Sequence, residues 1–178
     1  MNYLLTGEET VRLRFRKVQP GDFDTCLEFF NDPRTRQYWK SPITEPRQLA
    51  REWLDKQLWR YDHQQGGANL LLTKQTNQVV GWCGLVWQQV DDVDELEIAY
   101  SLLPMFWGQG YATEAAQLAK EVAFARKLSP SLISIIHVNN TPSQRVAERN
   151  GMKISATTVY RDNPVDIWRV SSGSNQEG

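Results

Sequence analysis

From Val11 to Phe15 the chain alternates Val, Leu and Phe with arginine, the period-two pattern of a half-buried strand. Pro20, Gly21 and Asp22 then mark a helix start, and Phe23, Leu27 and Phe30 follow at helical spacing. A second helix is predicted from near Thr44, with Glu45 and Pro46 just inside, towards Tyr61. Its Leu49, Trp53, Leu54, Leu58 and Tyr61 form one apolar stripe. ANLLLTKQ and VVGWCGLVW, joined by the turn TNQ, read as an antiparallel hairpin. Gly81 and Gly84 mark a bulge or a close approach of backbones in its second strand. ELEIAYSLL is the next strand, and Pro104 stops it.

In the run PMFWGQGYATEAAQLA and just beyond it, Ala112, Ala115, Ala116, Ala119, Val122 and Ala123 recur at intervals of three and four. That is a narrow face of small side chains, suited to close packing on a sheet. LISIIHV is too short for a helix and rich in isoleucine, so it reads as a buried strand. In TPSQRVAERNG, Thr141 takes the N-cap with Gln144 three residues later, Pro142 the first helical position, and Gly151 the stop. A last hairpin runs from Met152 to Val170 with its turn near Asp162, Asn163 and Pro164.

Strand, helix, helix, three strands, helix, strand, helix, two strands is an order that mixes antiparallel and βαβ pieces. It predicts an α/β or α+β sandwich. At 178 residues the chain suits one domain, placed here over 1–170, with the polar tail SSGSNQEG over 171–178 expected to be disordered. A formal net charge of −1 gives no electrostatic case for nucleic acid or an anionic membrane. Arg12, Arg14 and Arg16, spaced two apart, read as one solvated strand face. The two cysteines, Cys26 and Cys83, have no metal or redox spacing and are expected as free core thiols in a reducing compartment. With no signal-peptide pattern and no apolar stretch of membrane-span length, the expected location is the cytoplasm.

Gly108 and Gly110 pose the chemical question, because they stand directly ahead of a helix. Glycines there allow positive φ and close approach to a ligand, and helix N-termini carry free N–H groups and partial positive charge. Such a turn binds a phosphate or pyrophosphate without a basic side chain. GQG nevertheless lacks the lysine and hydroxyl of a triphosphate loop and the third glycine of a dinucleotide fingerprint. On these grounds a plain turn and a pyrophosphate site stand equal.

The string EIAYSLLPMFWGQGYATEAA resembles the acetyl-CoA-binding segment of the GNAT superfamily of N-acetyltransferases, and most closely the branch that acetylates N-terminal alanine or serine of ribosomal proteins. Trp107 replaces the arginine or glutamine of the wider superfamily, as is common in that branch. HVNNTPSQRVAERNGM is similar to the family's Asn-x-x-Ser helix, with Asn140, Ser143, Gly151 and Met152 in the matching places. The likeness spans Val11 to Val170. It implies the GNAT fold: a mixed, mostly antiparallel sheet of about seven strands, splayed between the fourth and fifth, with helices on both faces.

The resemblance also implies acetyl-CoA as cosubstrate and no metal. Trp107, Gly108, Gln109, Gly110, Tyr111, Ala112 and Thr113 would then cradle the pyrophosphate, while backbone groups around Leu102 and the side chain of Asn140 meet pantetheine. Glu97 becomes the candidate general base, acting through a water; its plain alternative is a strand carboxylate paired with a neighbour beside Glu95. The tyrosine that serves many members as general acid on the last helix is Ala147 here. Ser143 is the nearest replacement, either relaying a proton to the thiolate or merely capping the helix or touching pantetheine. His63 and His137 have no metal spacing, and Cys83 has no partner to make it a nucleophile. Trp39, Trp53, Trp59, Trp82 and Trp87 either line an acceptor groove or pack the core. The implied acceptor is a protein N-terminus or a small amine such as a polyamine or aminoglycoside, for a monomer or homodimer. A non-catalytic acyl-CoA-binding regulatory domain is the competing reading.

Overall fold

A computed structural model of the chain describes residues 1–173. Its elements follow the predicted order: β1 (Leu13–Lys17), α1 (Phe23–Asn31), α2 (Pro46–Asp62), β2 (Gly66–Thr73), β3 (Val79–Val90), β4 (Val93–Leu102), α3 (Tyr111–Ala125), β5 (Ser131–His137), α4 (Thr141–Arg149), β6 (Lys153–Tyr160) and β7 (Asn163–Ser171). β7 thus reaches one residue past the expected end at Val170, into the segment read as tail. Residues 174–178 of that tail lie outside the described residues.

The strands form one sheet of seven in the order β1-β2-β3-β4-β5-β7-β6. Every neighbouring pair is antiparallel except β4 and β5, which run parallel and meet only at Glu97 opposite Ile133. β3 and β4, by contrast, stay paired from Gly81–Leu102 to Val90–Val93. Beyond their single rung β4 and β5 diverge, so the sheet carries a split near its middle.

Helices cover both faces. Trp82 of β3 packs against Trp53 of α2 at 4.2 Å between ring centroids and against Phe29 of α1 at 4.4 Å. Register places Ser101 beside Trp82 and Glu97 beside Val86, so these share the α1–α2 face. Cys83, Leu85, Ile98 and Tyr100 point the other way, towards the alanine face of α3 and towards α4. Ala115, Ala116, Ala119, Val122 and Ala123 are the buried residues of α3, as their spacing predicts.

The glycines of β3 are dictated by backbone proximity. A Cβ on Gly81 would stand 2.2 Å from the Ser101 carbonyl oxygen, and one on Gly84 2.1 Å from that of Gly67. The β2–β3 register also shifts between Leu71 and Leu72, which is the bulge.

Three expectations are corrected and one, for α2, is extended. β1 begins at Leu13, and Val11 lies outside it, 90 % exposed. The apolar stripe of α2 packs on the core through Leu54, Trp53, Leu58 and Tyr61, but the helix also buries Ala50, Gln57 and Arg60, which the stripe did not include. The two buried polar side chains serve strand backbone: Gln57 Oε1 accepts from the Ala68 N–H at 2.9 Å, and Arg60 Nη1 donates to the Trp87 carbonyl at 2.9 Å. The α4 N-cap is Asn140, whose Oδ1 accepts from the Ser143 N–H at 3.3 Å; Thr141 is already inside the helix. The other end closes as read, with Gly151 at φ +77° and N–H bonds from Gly151 to Glu148 O and from Met152 to Ala147 O. Lastly, the β6–β7 turn is Arg161-Asp162, at φ +48° and +62°, and Asn163 and Pro164 belong to β7. A two-residue turn with both φ positive fits the twist of the hairpin.

Candidate functional site

The glycine segment leaves β4 through a short turn at Pro104–Phe106 and enters α3 at Tyr111. Gly108 (φ +73°) and Gly110 (φ +83°) are both left-handed, and Gln109 between them is not. Alternation of hand turns successive N–H groups to one side, forming a concavity suited to an anion. The N–H groups of Gly108, Gln109 and Gly110 find no acceptor among the described residues. Ala112 and Thr113 add the first turn of α3, whose N–H groups are likewise unspent inside the helix. The cradle is braced from both ends: the Trp107 indole N–H donates to the Leu102 carbonyl at 2.9 Å, and the Tyr111 ring lies edge-on to Phe106.

Leu102 therefore ends β4 with its carbonyl already engaged by Trp107. Asn140 and Ser143 stand across the split from β4, at the start of α4. Asn140 Oδ1 caps Ser143, while the Ser143 hydroxyl has no partner among the described residues. One tie crosses the gap here, from the Tyr100 hydroxyl to the Ser143 carbonyl at 2.9 Å. Burial holds the Tyr100 phenol far above its ordinary pKa, so it remains a donor. Sequence reasoning passed over Tyr100, although its offset of three from Glu97 on a strand already placed the two on opposite faces. Ala147 is buried, 1 % exposed, and leaves that position of α4 without a polar group.

Glu97 occupies the last rung before the strands part. It is 8 % exposed, its Oε2 accepts from Gln88 Nε2 at 2.9 Å, and its Oε1 faces the Ile135 N–H at 3.4 Å. Its neighbour Glu95 is the ion-paired one, with Arg169 Nη1 donating to it at 3.0 Å. Burial raises the Glu97 pKa, against the opposing pull of the Gln88 and Ile135 hydrogen bonds and the charges of Arg60 and Arg161. A carboxyl so placed is a stronger base once ionised than an exposed one. On the far side of the rung, the Ser134 hydroxyl donates to the Ile98 carbonyl at 2.8 Å. Side chains thus take over from the ladder where the split begins.

Gln88 connects Glu97 to the exterior. Its Oε1 accepts from the Tyr160 hydroxyl at 3.1 Å and from Arg60 Nη2 at 3.2 Å. With Gln89, Asp91, Asp92, Val159, Tyr160 and Arg161 it lines an open cavity of about 500 Å³ between the β3–β4 and β6–β7 turns.

The remaining candidates resolve into packing. Cys83 is fully buried, and burial pushes its thiol up to about 12; Cys26 is likewise pushed up to about 12. His137 Nδ1 accepts from the Asn139 N–H at 3.1 Å, and His63 stacks on Trp59 at 4.1 Å. Trp53 and Trp82 belong to the core, Trp87 sits edge-on to Tyr3, and Trp39 and Trp59 are exposed. The three arginines lie on the solvated side, Arg12 and Arg14 exposed and Arg16 half-buried, and two of them are ion-paired. Arg12 pairs with Glu114 at 2.7 Å and Arg16 with Asp22 at 2.7 Å, while Arg14 stays exposed.

Residues 12–153 match the acetyltransferase (GNAT) domain. The chain belongs to the GNAT acetyltransferases. Among relatives of this GNAT chain, protein YkkB of Bacillus subtilis is 32 % identical over 167 residues, covering 92 % of this chain and 94 % of that one. An acetyltransferase from Agrobacterium tumefaciens superposes with a TM-score of 0.78 at 25 % identity, over 93 % of this chain and 94 % of the other. The ribosomal L7/L12 alpha-N-protein acetyltransferase RimL gives 0.75 at 14 % identity, over 93 % of each. Spermidine N-acetyltransferase from Vibrio cholerae, solved with CoA and spermine, gives 0.72 at 16 %, over 91 % and 96 %. At those last identities the likeness is one of GNAT fold alone.

Proposed function

We propose that this GNAT domain moves an acetyl group from acetyl-CoA to the primary amine of a protein N-terminal residue, by direct attack with both substrates bound. The observation that carries the reading is the split, with a buried carboxyl on one face and unspent N–H groups leading into α3 on the other. Those N–H groups fit a pyrophosphate, and acetyl-CoA supplies the acetyl thioester when bound. Gly108 to Thr113 hold the anion, and Asn140 and the backbone near Leu102 flank the pantetheine path.

Glu97 receives the proton that the amine must lose, through a water, and Gln88 holds the carboxylate in place. The nitrogen then bonds to the acetyl carbon and the carbon–sulfur bond breaks. The nitrogen sheds its second proton as it becomes an amide, and the Ser143 hydroxyl relays that proton to the departing sulfur, with Tyr100 fixing the Ser143 backbone. No covalent intermediate on the protein is needed, because an aligned amine attacks a thioester readily. A peptide N-terminus is supported by the open cavity, whose Gln88, Gln89 and Tyr160 offer hydrogen bonds to an extended chain. Asp91 and Asp92 at its mouth favour a second reading, a cationic small amine such as a polyamine.

The test is CoA release measured with peptides bearing N-terminal alanine or serine beside spermidine and an aminoglycoside. Peptide turnover that disappears with Glu97→Gln is the expected result. Turnover of spermidine alone selects the second reading, and CoA binding without turnover of any amine selects a regulatory domain.

A further inference from the structure

α3 contains a contradiction in charge. Glu114 lies in the first turn of the helix whose N-terminus forms the cradle. A carboxylate there satisfies the helix dipole and repels any other anion at the same end. The structure shows how this is countered, and the answer comes from β1 and the residues leading into it. Glu114 Oε1 accepts from the Thr10 hydroxyl and from the Arg12 N–H, the latter at 2.9 Å, while Oε2 accepts from Arg12 Nε at 2.7 Å. Arg12 Nη1 reaches past Glu114 to donate to the Gln109 carbonyl at 2.9 Å. That oxygen, which belongs to the middle residue of the cradle, is thereby turned to β1. The guanidinium also covers the Tyr111 ring at 4.3 Å, and its Nη2 would stand 3.3 Å from a Cβ on Gly110. Nη2 has no acceptor among the described residues.

We propose that Arg12 is a positioning residue for coenzyme A: it neutralises Glu114 and holds the Gln109 carbonyl outward, reserving the N-terminus of α3 for the pyrophosphate. This rests on the reading of the glycine segment as a CoA cradle. The carboxylate is committed to β1, since hydrogen bonds from Thr10 and Arg12 keep it ionised against the effect of burial. Without Arg12 the negative charge remains and loses its counterion, and the middle carbonyl loses its anchor. The damage falls on anion binding and not on the amine side of the sheet.

The experiment is a double-mutant cycle on the full chain, with CoA affinity measured by calorimetric titration beside a melting curve for each variant. Arg12→Met should raise the Kd for CoA roughly tenfold or more, the scale of a partly buried charge at a helix end. Glu114→Gln should bind at least as tightly as the parent. The combined Arg12→Met/Glu114→Gln variant should recover to within about threefold of the parent, and the gap between single and double variants should narrow in high salt. Thermal stability should fall in both single variants without recovering in the double, which separates a structural tie from a positioning role. Arg12→Gln, which removes the charge and keeps a polar head, replaces Arg12→Met in the cycle with the same expected outcomes if the latter does not fold. A parent that binds no CoA overturns the cradle and this inference with it. A parent that binds CoA, with Arg12→Met its equal or with the double variant as weak as Arg12→Met, overturns the role of Arg12 alone.

Discussion

Glu97 is a carboxyl that the sheet hides and the proposed reaction needs ionised, and the two demands have opposite signs. Its folded pKa lies above the ordinary carboxylate value. Stability is therefore fully present below that ordinary value and is lost as pH rises through the raised one. Glu97→Gln removes the penalty. It should melt higher than the parent at pH 7, the difference closing towards pH 4, while turnover drops by about a hundredfold or more. Melting curves across that range and a pH–rate profile check both halves; a variant with unchanged turnover removes Glu97 as base. Ser143 is separable in the same way. Its N–H is capped by Asn140 and its hydroxyl has no partner among the described residues, so Ser143→Ala should leave stability nearly intact. Asn140→Ala should cost about 1 kcal/mol as a lost N-cap. If Ser143 relays the proton, its alanine variant loses kcat by roughly tenfold to a hundredfold; a change confined to the KM for acetyl-CoA makes it a pantetheine contact.

Elements were legible where two signals agreed. The alanine spacing fixed α3, and the isoleucines of LISIIHV fixed β5, because small faces and β-branched runs admit few alternatives. The misses occurred where a local signal had a rival. Asn163-Pro164 is a strong turn pair, yet Asn163 is used from its buried place to hold the Lys40 N–H and the Arg161 carbonyl, so the turn falls one step earlier. Gln57 and Arg60 of α2 did not stand out in the sequence, because they serve the backbone of neighbouring strands, which no periodicity reveals. The candidate site was legible as two motifs through resemblance, whereas Tyr100, Gln88 and Arg12 act by contacts distant in sequence. For the loop itself, Gly110→Val forces a β-branched side chain into left-handed backbone beside Arg12. It should weaken CoA binding tenfold or more, by the order of a lost helix-end anion contact, with a smaller change in melting temperature. Titration with CoA checks it, and unchanged affinity in a folded variant rejects the cradle.

At the scale of the molecule, one face of the sheet holds the carboxyl and the other the cradle, and the split is where they communicate. The direct transfer proposed above requires both substrates together. Initial velocities should give intersecting lines when acetyl-CoA is varied at several amine concentrations, and a parallel pattern would demand an acetylated protein intermediate. Cys26 and Cys83, buried and held as thiols, should resist iodoacetamide in the native state, and activity should survive the treatment. The single rung between β4 and β5 has a mechanical meaning as well. Strands β1 to β4 make one leaf and β5, β7 and β6 another, joined by a single backbone rung and otherwise by side chains, among them Glu97, Ser134, the Glu95–Arg169 ion pair and the Gln88–Tyr160 hydrogen bond. A book stitched by side chains where backbone rungs would run opens first at the gaps between the stitches. The Ile135 amide, in the middle of a buried strand, should then exchange with solvent faster than its neighbours in β5, and a molecule lodged between the leaves would act as a splint.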